Sequence, residues 1–240
     1  MALLPPAVVN LRQWLAEWTQ QFAISVYTLK RMLKRVGFRW KRVRKSLKDQ
    51  QDAVMMAFFT HELALLKEAH RQGELSLWFY DETGLGLNPS GLYAWQHPEL
   101  PARLPAQRGQ GFTVAGFLTI DNQLQAYSYS GPTTAQTFIH FVDDWIRQYP
   151  PQGKTVLVLD NVSFHRSAEV VARQKDWAAQ RVYLQYLPAY GSELNLIEIL
   201  WHRLKHEWLE LADYASSQSL RKAVERILSQ VGQKYTITFA

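Results

Sequence analysis

Two short apolar runs that each end in an aspartate constrain the fold of this 240-residue chain more than any other feature. Residues 77–80 lead into Asp81, and residues 156–159 lead into Asp160. Runs of this length and composition are typical of buried strands. If the two strands are neighbours, their terminal carboxylates lie side by side, and like charges held that close need a cation between them. The alternative is that each aspartate only ends its strand as a turn former.

A third acidic residue lies in a helix that the apolar spacing predicts over residues 193–211. Glu198 falls on or beside the apolar stripe of this helix, where an unpaired carboxylate is costly to bury. The alternative is a partly exposed Glu198 that forms an ion pair with Arg203 or His202. Glu193 is a rival for the same role, but its place in the first turn is explained by the helix dipole.

The order of the predicted elements indicates the fold class. Strands are predicted over residues 75–81, 112–120, 124–129, 155–160 and 182–187, and helices over residues 133–149, 167–179, 193–211 and 217–232. Three strands followed by strands that alternate with helices predict an α/β domain with a mixed sheet. We place this domain at residues 73–240 and predict a linker helix over residues 49–72.

The positive charge is concentrated at the start of the chain. Residues 1–50 hold eleven Lys or Arg residues against two acidic residues, a net charge of +9 where the whole chain has +6. Helices are predicted over residues 8–18 and 26–36, in the pattern of a helix-turn-helix. Residues 1–48 are therefore predicted to be a basic helix-turn-helix-like segment that binds nucleic acid. The alternative is an ordinary solvated helix face. The predicted DNA-binding residues are Lys30, Arg31, Lys34, Arg35, Arg39, Lys41, Arg42, Arg44 and Lys45.

Composition excludes several classes of protein. Hydrophobic residues make up 47% of the chain, which indicates a folded core. There is no cysteine, so disulfides and thiolate metal sites are excluded, and a reducing cytoplasm is expected. The apolar runs are too short to span a bilayer, and the N-terminus lacks the pattern of a signal peptide.

Each of the three acidic residues lies within a longer motif. The first motif is Phe79-Tyr80-Asp81-Glu82-Thr83-Gly84, and the second is Leu159-Asp160-Asn161 with His165. The third begins with Leu187-Pro188-Ala189-Tyr190 and continues with Glu193-Leu194-Asn195, Ile197-Glu198, Trp201 and Leu204-Lys205. In this order the motifs resemble the DDE transposases of the mariner-like superfamily, and most closely the bacterial insertion-sequence branch called IS-six-thirty, over about residues 20–240. The resemblance implies a ribonuclease-H-like fold, with a mixed sheet flanked by helices and a small N-terminal helical segment that binds DNA. It places the catalytic and metal-binding triad on Asp81, Asp160 and Glu198.

The resemblance also implies cofactors and partners. Two Mg²⁺ or Mn²⁺ ions held by three carboxylates can activate water or a 3′-hydroxyl for attack on a phosphodiester. Oxygen-only ligands favour these ions over zinc. The expected partners are the double-stranded DNA of transposon ends and target, bound by a homodimer without any membrane, in the nucleoid region of the bacterial cytoplasm.

Three residues near the triad are expected to support it without binding the metal. Asn161 is expected to orient Asp160 or nearby backbone, and Glu82 to lie behind the ligands. His165 either contacts the scissile phosphate or DNA, or caps a helix, and the sequence leaves both roles open. The segment Tyr190-Gly191-Ser192 and Leu196 depart from the family pattern of Tyr-Ser-Pro and Pro, which predicts a looser helix start but removes no ligand.

Two other functions fit parts of the sequence. Members of the family usually carry two helix-turn-helix units, and this sequence has room for one, which predicts a truncated copy or the second reading frame of a split gene. The chain is then either an active transposase or a catalytically silent DNA-binding remnant that represses its parent element. A ribonuclease-H-type nuclease acting on RNA is the third possibility, and the helix-turn-helix pattern disfavours it.

The basic segment generates a first prediction. Replacing Lys34 and Arg35 with Ala should weaken binding to all DNA duplexes about equally, because phosphate contacts carry no sequence information. The affinity of the unchanged protein should fall steeply as salt rises. Fluorescence anisotropy with duplexes of different sequence, at several salt concentrations, measures both effects. Binding that ignores salt, or that survives deletion of residues 1–48, would show that the segment has another role.

Overall fold

The structure, a computed structural model, describes residues 20–21, 25–38, 50–88 and 111–239. The chain forms two compact units, Met1–Ser46 and Leu47–Ala240. The predicted helix over residues 8–18 lies outside the described residues, and so do five predicted DNA-binding residues, Arg39, Lys41, Arg42, Arg44 and Lys45. No helix within the described ranges is long and apolar enough to cross a bilayer.

The first unit contains helix α1, Val26–Arg35. It begins where the Ser25 side chain accepts a hydrogen bond from the backbone N–H of Thr28 at 3.1 Å, and it ends before Gly37, whose φ of +91° suits glycine. Of its residues only Leu29 is buried. The side chains of Lys30, Arg31, Lys34 and Arg35 are exposed, and their role in DNA binding remains a prediction.

The second unit is built on a five-stranded mixed sheet, which confirms the predicted fold class. Its strands are β1 Ser76–Leu85, β2 Phe112–Thr119, β3 Leu124–Tyr129, β4 Thr155–Leu159 and β5 Val182–Tyr186, in the order β3-β2-β1-β4-β5. The β1–β2 and β2–β3 pairs are antiparallel, whereas β1–β4 and β4–β5 are parallel. The helices are α2 Ala53–Arg71, α3 Ala135–Gln148, α4 Ala168–Ala179, α5 Ile197–Arg203 and α6 Ser217–Leu228.

Helices cover both faces of the sheet, and strand β1 contributes to both cores because its side chains alternate. Leu77 and Phe79 pack with residues of α5 and α6. Trp78 and Tyr80 pack on the other face with residues of α3 and α4. The same alternation carries on to the acidic residues that follow, so Asp81 faces the α5 layer and Glu82 faces the α3–α4 layer.

Strand β1 is longer than predicted. It does not end at Asp81 but continues for four residues to Leu85. The reason is its antiparallel partner β2, which pairs with β1 from Trp78 to Leu85 and places Gly116 directly opposite Asp81. Asp81 therefore lies within a strand, where pairing on β2 holds its backbone, whereas Asp160 directly follows the last residue of β4 as predicted.

Two predicted helices are also corrected. The helix predicted from residue 49 begins at Ala53, because the Asp52 side chain caps it by accepting from the N–H groups of Val54 and Met55. The helix predicted over residues 193–211 is broken into a 3₁₀ turn Ser192–Leu194, α5, a π-helical turn Leu204–Trp208 and a second 3₁₀ turn Leu211–Ala215. Residue Asn195 has extended backbone angles that interrupt the helix. Helix α2 belongs to the second unit, and its role as a linker remains a prediction.

The contact between α3 and α4 generates a prediction about stability. Asp143 accepts hydrogen bonds from Arg173 at 3.2 and 2.9 Å and from the buried indole N–H of Trp177 at 2.7 Å. Asp143→Ala should lower the free energy of unfolding by about 1–3 kcal/mol, since it leaves a buried donor without its partner. Asp176→Ala removes an exposed partner of the same arginine and should cost less than about 1 kcal/mol. Urea denaturation compares the two variants, and equal losses would contradict the role given to Asp143.

Candidate active site

Asp81 and Asp160 lie on neighbouring parallel strands at the same edge of the sheet. In the β1–β4 register, Phe79 pairs with Val158. Asp81 and Asp160 each lie two residues beyond this last pair, so the register leads both towards the same edge of the sheet. The charge of Asp160 also acts on Asp81.

Glu198 reaches this edge from the first turn of α5. The backbone N–H of Glu198 donates to the carbonyl oxygen of Asn195 at 3.1 Å, which starts the helix. Ile197, Leu200 and Trp201 of α5 are buried against the sheet. The burial of Ile197 fixes the start of the helix, and Glu198, the next residue, is exposed.

The electrostatics of the three carboxylates show that they crowd one another. The pKa of Asp81 is raised from 3.8 to about 8, first by burial and then by the negative charges of Glu198, Glu82 and Asp160. Removal of water also raises the pKa of Glu198, and the charge of Asp160 adds to this effect. Hence the site favours a proton or a cation among these groups.

Lys205 supplies a positive charge beside two of these carboxylates. Burial lowers the pKa of its ammonium group, while the charges of Glu198 and Asp81 act in the opposite direction. The positive charge of Lys205 in turn offsets part of the increase in the pKa of Glu198. The sequence contains a signal for this contact, since Lys205 follows Glu198 by seven residues and so lies two helical turns along the same face.

His165 lies behind Asp160 in a fully buried position. Its Nδ1 atom is 2.9 Å from Oδ1 of Asp160, and its Nε2 atom is 3.6 Å from Oε1 of Glu82. The Tyr80 hydroxyl donates to the same Glu82 oxygen at 2.6 Å. Burial lowers the pKa of His165, but its hydrogen bond to Asp160 and the negative charges of Glu82 and Asp160 outweigh this and raise the pKa to about 9. His165 is therefore hydrogen-bonded to Asp160 and lies close to the carboxylate of Glu82.

This geometry differs from both roles considered for His165. The ring is 0% exposed, so it presents no surface to a phosphate, and the short helix Ser163–Arg166 has no side-chain cap. Asn161 also differs from its expected role, because its Oδ1 atom accepts from Arg166 at 3.1 Å and the structure shows no bond from it to Asp160. Glu82 lies behind the triad, in contact with His165, as expected.

Asn195 and Trp201 join the helix of Glu198 to the strand of Asp81, which sequence reasoning missed. The side-chain Nδ2 of Asn195, a residue only 2% exposed, donates to the carbonyl oxygen of Tyr80 at 2.9 Å. The indole Nε1–H of Trp201 donates to Oδ2 of Asp81 at 3.1 Å. A polar Asn195 within an apolar segment was the available signal, but its partner lies 115 positions away.

The donor set suits a hard divalent cation. Asp81, Asp160 and Glu198 offer only carboxylate oxygens, which Mg²⁺ and Mn²⁺ prefer. The crowding that raises the pKa of Asp81 is the condition that such a cation relieves. Within the described part of the chain, no three acidic or histidine side chains are placed closely enough to hold a metal ion as they stand. Binding a single ion would therefore require the three carboxylates to move closer together.

Comparisons with known proteins agree with the fold and identify the family of the domain. Residues 76–221 match the family model described as "DDE superfamily endonuclease". The chain is similar to a Mos1 transposase paired-end complex with left transposon end, at 17% identity and a TM-score of 0.53, over 95% of this chain and 74% of that chain. It is also similar to a Mos1 strand transfer complex, at 15% identity and a TM-score of 0.52, over 98% and 82% of the two chains.

A third similar structure is a Mos1 mariner paired-end complex with Mn, at 15% identity and a TM-score of 0.50, over 98% of this chain and 82% of that chain. No curated protein matches the chain. At these identities the likeness shows the fold, and the predicted ribonuclease-H-like architecture is confirmed.

The pKa of Asp81 generates a prediction about stability and pH. Because its folded pKa of about 8 lies above the ordinary 3.8, the folded protein binds this proton more tightly than the unfolded chain does. Without metal, stability should fall as pH rises from about 4 to about 8, and the loss should persist above pH 8. Asp81→Asn keeps an oxygen that can accept from Trp201 and removes the charge. At pH 8 the free energy of unfolding of Asp81→Asn should exceed that of the unchanged protein by more than about 1.4 kcal/mol.

Urea denaturation in EDTA across this pH range measures the difference between the two proteins. The raised pKa of His165 adds its own loss of stability only between about pH 6.5 and 9, so between pH 4 and 6.5 the loss comes from the raised pKa values of Asp81 and Glu198. Glu225→Gln, which removes an exposed carboxylate of α6, serves as the control. If Asp81→Asn and Glu225→Gln change the pH dependence of the free energy of unfolding equally, the pKa of Asp81 is not raised by its surroundings.

Proposed function

This chain belongs to the DDE superfamily of endonucleases, and from that premise we propose that it is a transposase that cleaves DNA strands and transfers them to a target. The observation that carries the proposal is the convergence of Asp81, Asp160 and Glu198 at one edge of the sheet. Burial raises the pKa of Asp81, and the charges of Glu198, Glu82 and Asp160 raise it further. Crowded carboxylates cost stability, and perturbed groups of this kind are concentrated at functional sites.

Asp81, Asp160 and Glu198 would hold one or two Mg²⁺ or Mn²⁺ ions through their carboxylate oxygens. Ions bound in this way supply an activated water or 3′-hydroxyl and stabilise the leaving oxygen of a phosphodiester. One of the similar Mos1 structures is a paired-end complex with Mn, which supports the choice of ion. The oxygen-only donor set of this chain supports it independently.

The remaining residues of the site act on the ligands and on the phosphate. His165 forms a hydrogen bond with Oδ1 of Asp160. This bond fixes the rotation of that carboxylate and leaves Oδ2 to bind the metal ion. Lys205 places an ammonium group beside Glu198 and Asp81, where it can neutralise part of the charge that a scissile phosphate brings. The indole N–H of Trp201 donates a hydrogen bond to Asp81.

DNA is the proposed partner. The similar Mos1 structures are a paired-end complex with a left transposon end and a strand transfer complex, and we infer the same class of substrate for this chain. The exposed cations of α1 are suited to phosphate contacts on duplex DNA. We also propose that the protein acts as a homodimer on DNA, that it belongs to the bacterial IS-six-thirty branch, and that it acts in the bacterial cytoplasm.

Glu198 provides the test of this function. Glu198→Gln should abolish nicking of duplex DNA in Mn²⁺, because one metal ligand loses its charge, and should leave duplex binding nearly unchanged. Glu193→Gln, on the preceding 3₁₀ turn, is the matched control and should keep activity. Supercoiled plasmid nicking and metal-dependent melting measure the two effects, since a bound cation raises the melting temperature with concentration.

The outcomes separate the candidate functions. An inactive Glu193→Gln with an active Glu198→Gln would reassign the third ligand. An unchanged protein that binds duplex DNA and never nicks it in Mn²⁺ would be a DNA-binding remnant instead. Preferential cleavage of an RNA–DNA hybrid over duplex DNA would identify a ribonuclease-H-type nuclease.

A further inference from the structure

We infer that Trp201 is a positioning residue, whose indole N–H fixes the carboxylate of Asp81 for metal binding, and that Gly116 is the position that admits the indole. The inference rests on the proposed function, because it concerns the same carboxylate. It assigns a role to the surroundings of Asp81, whereas the proposed function depends only on the three acidic residues.

The hydrogen bond between the two side chains is the first support. Trp201 is 2% exposed, and its Nε1 atom lies 3.1 Å from Oδ2 of Asp81. A buried indole N–H needs an acceptor, and a carboxylate is a strong one. Because one oxygen of Asp81 is held in this way, the rotation of the carboxylate is fixed and Oδ1 is directed away from the indole.

Gly116 provides the second, independent support. It lies on β2 directly opposite Asp81 in the antiparallel register. A Cβ atom at this position would lie 2.8 Å from Cη2 and 3.0 Å from Cζ2 of Trp201, and 3.1 Å from Cδ1 of Ile197. Glycine within a strand weakens it and marks a site of close approach. The absence of a side chain at Gly116 therefore leaves room for the indole of Trp201 to lie over β2 and reach Asp81.

The position of Trp201 along α5 provides the third support. Trp201 follows Glu198 by three residues, so both lie on the same side of the helix. Asn195 precedes Glu198 by three residues and is bonded to the carbonyl oxygen of Tyr80, the residue before Asp81. In sequence, Glu198 thus lies between two residues that bond β1, and these bonds set the distance between the helix and the strand.

Two matched pairs of variants test this role. Trp201→Phe keeps an aromatic ring and removes the N–H, and its control is Trp208→Phe, which alters a tryptophan stacked on Tyr235. Gly116→Ala places a methyl group against the indole, and its control is Gly84→Ala in β1, where an added Cβ meets nothing within 4 Å. The second pair leaves Trp201 in place, so it tests the inference even if Trp201→Phe folds poorly.

The first measurement is Mn²⁺ affinity of the full chain without DNA, by electron paramagnetic resonance. Trp201→Phe and Gly116→Ala should each weaken Mn²⁺ binding by about tenfold or more, as loss of a group that orients a metal ligand does. Trp208→Phe and Gly84→Ala should bind Mn²⁺ like the unchanged protein. A purely structural role would lower the melting temperature without changing the affinity of the folded protein.

The second measurement uses no metal. The indole ¹H–¹⁵N signal of Trp201, identified by its absence in Trp201→Phe, should shift in Asp81→Ala, because its acceptor is removed. An unmoved signal overturns the inference, and so does normal Mn²⁺ binding by both Trp201→Phe and Gly116→Ala. Failure of the proposed function is a different result, in which the unchanged protein binds no Mn²⁺ or Glu198→Gln leaves binding as it was.

Discussion

Repulsion among carboxylates at one edge of the sheet is the interaction on which the surroundings of the site depend. The parallel register of β1 and β4 leads Asp81 and Asp160 towards the same edge, and α5 adds Glu198. Folding therefore buries Asp81 and places it near other carboxylates, and both effects raise the pKa of Asp81. The neighbouring groups partly compensate for the negative charge of the carboxylates, since each offers a positive charge or an N–H group. These groups are the Lys205 ammonium, the His165 imidazolium and the Trp201 indole.

The alternation of side chains along β1 divides this compensation between two layers. Asp81 and Glu82 are consecutive and therefore point to opposite faces of the sheet. On the face of α5, Trp201 reaches Asp81. On the other face, the Tyr80 hydroxyl donates a hydrogen bond to Glu82, and the His165 ring lies close to the same carboxylate. Asp160 follows the end of its strand and bonds His165, so it connects the buried network of the second layer to the exposed edge.

The sequence predicts the acidic residues better than it predicts what surrounds them. Apolar runs that end in Asp81 and Asp160 are local signals, and the parallel pairing of their strands follows from the alternation with helices. The length of β1 depends on pairing with β2, which begins 27 residues after β1 ends and leaves no local trace. The bonds of Asn195 and Trp201 join residues 115 and 120 positions apart, so no spacing rule reveals them. His165 is visible in its motif, but only the packing of Tyr80, Phe138 and Phe164 around it shows that it is enclosed.

The π-helical turn after α5 shows how one helical segment meets two requirements. Over an α-helix, residues seven apart drift by only about 20° around the axis, so Glu198 and Lys205 face the same side. The backbone changes to the wider turn at Leu204–Trp208, where Leu209 N–H donates to the carbonyl oxygen of Leu204 at 3.2 Å. Lys205 is the second residue of this turn, and Trp208, its last residue, stacks on Tyr235 near the C-terminus. Glu198 is therefore carried by the α-helical part of the segment, whereas Lys205 and the packing residue Trp208 are carried by the wider turn, and single π turns of this kind occur frequently at functional sites.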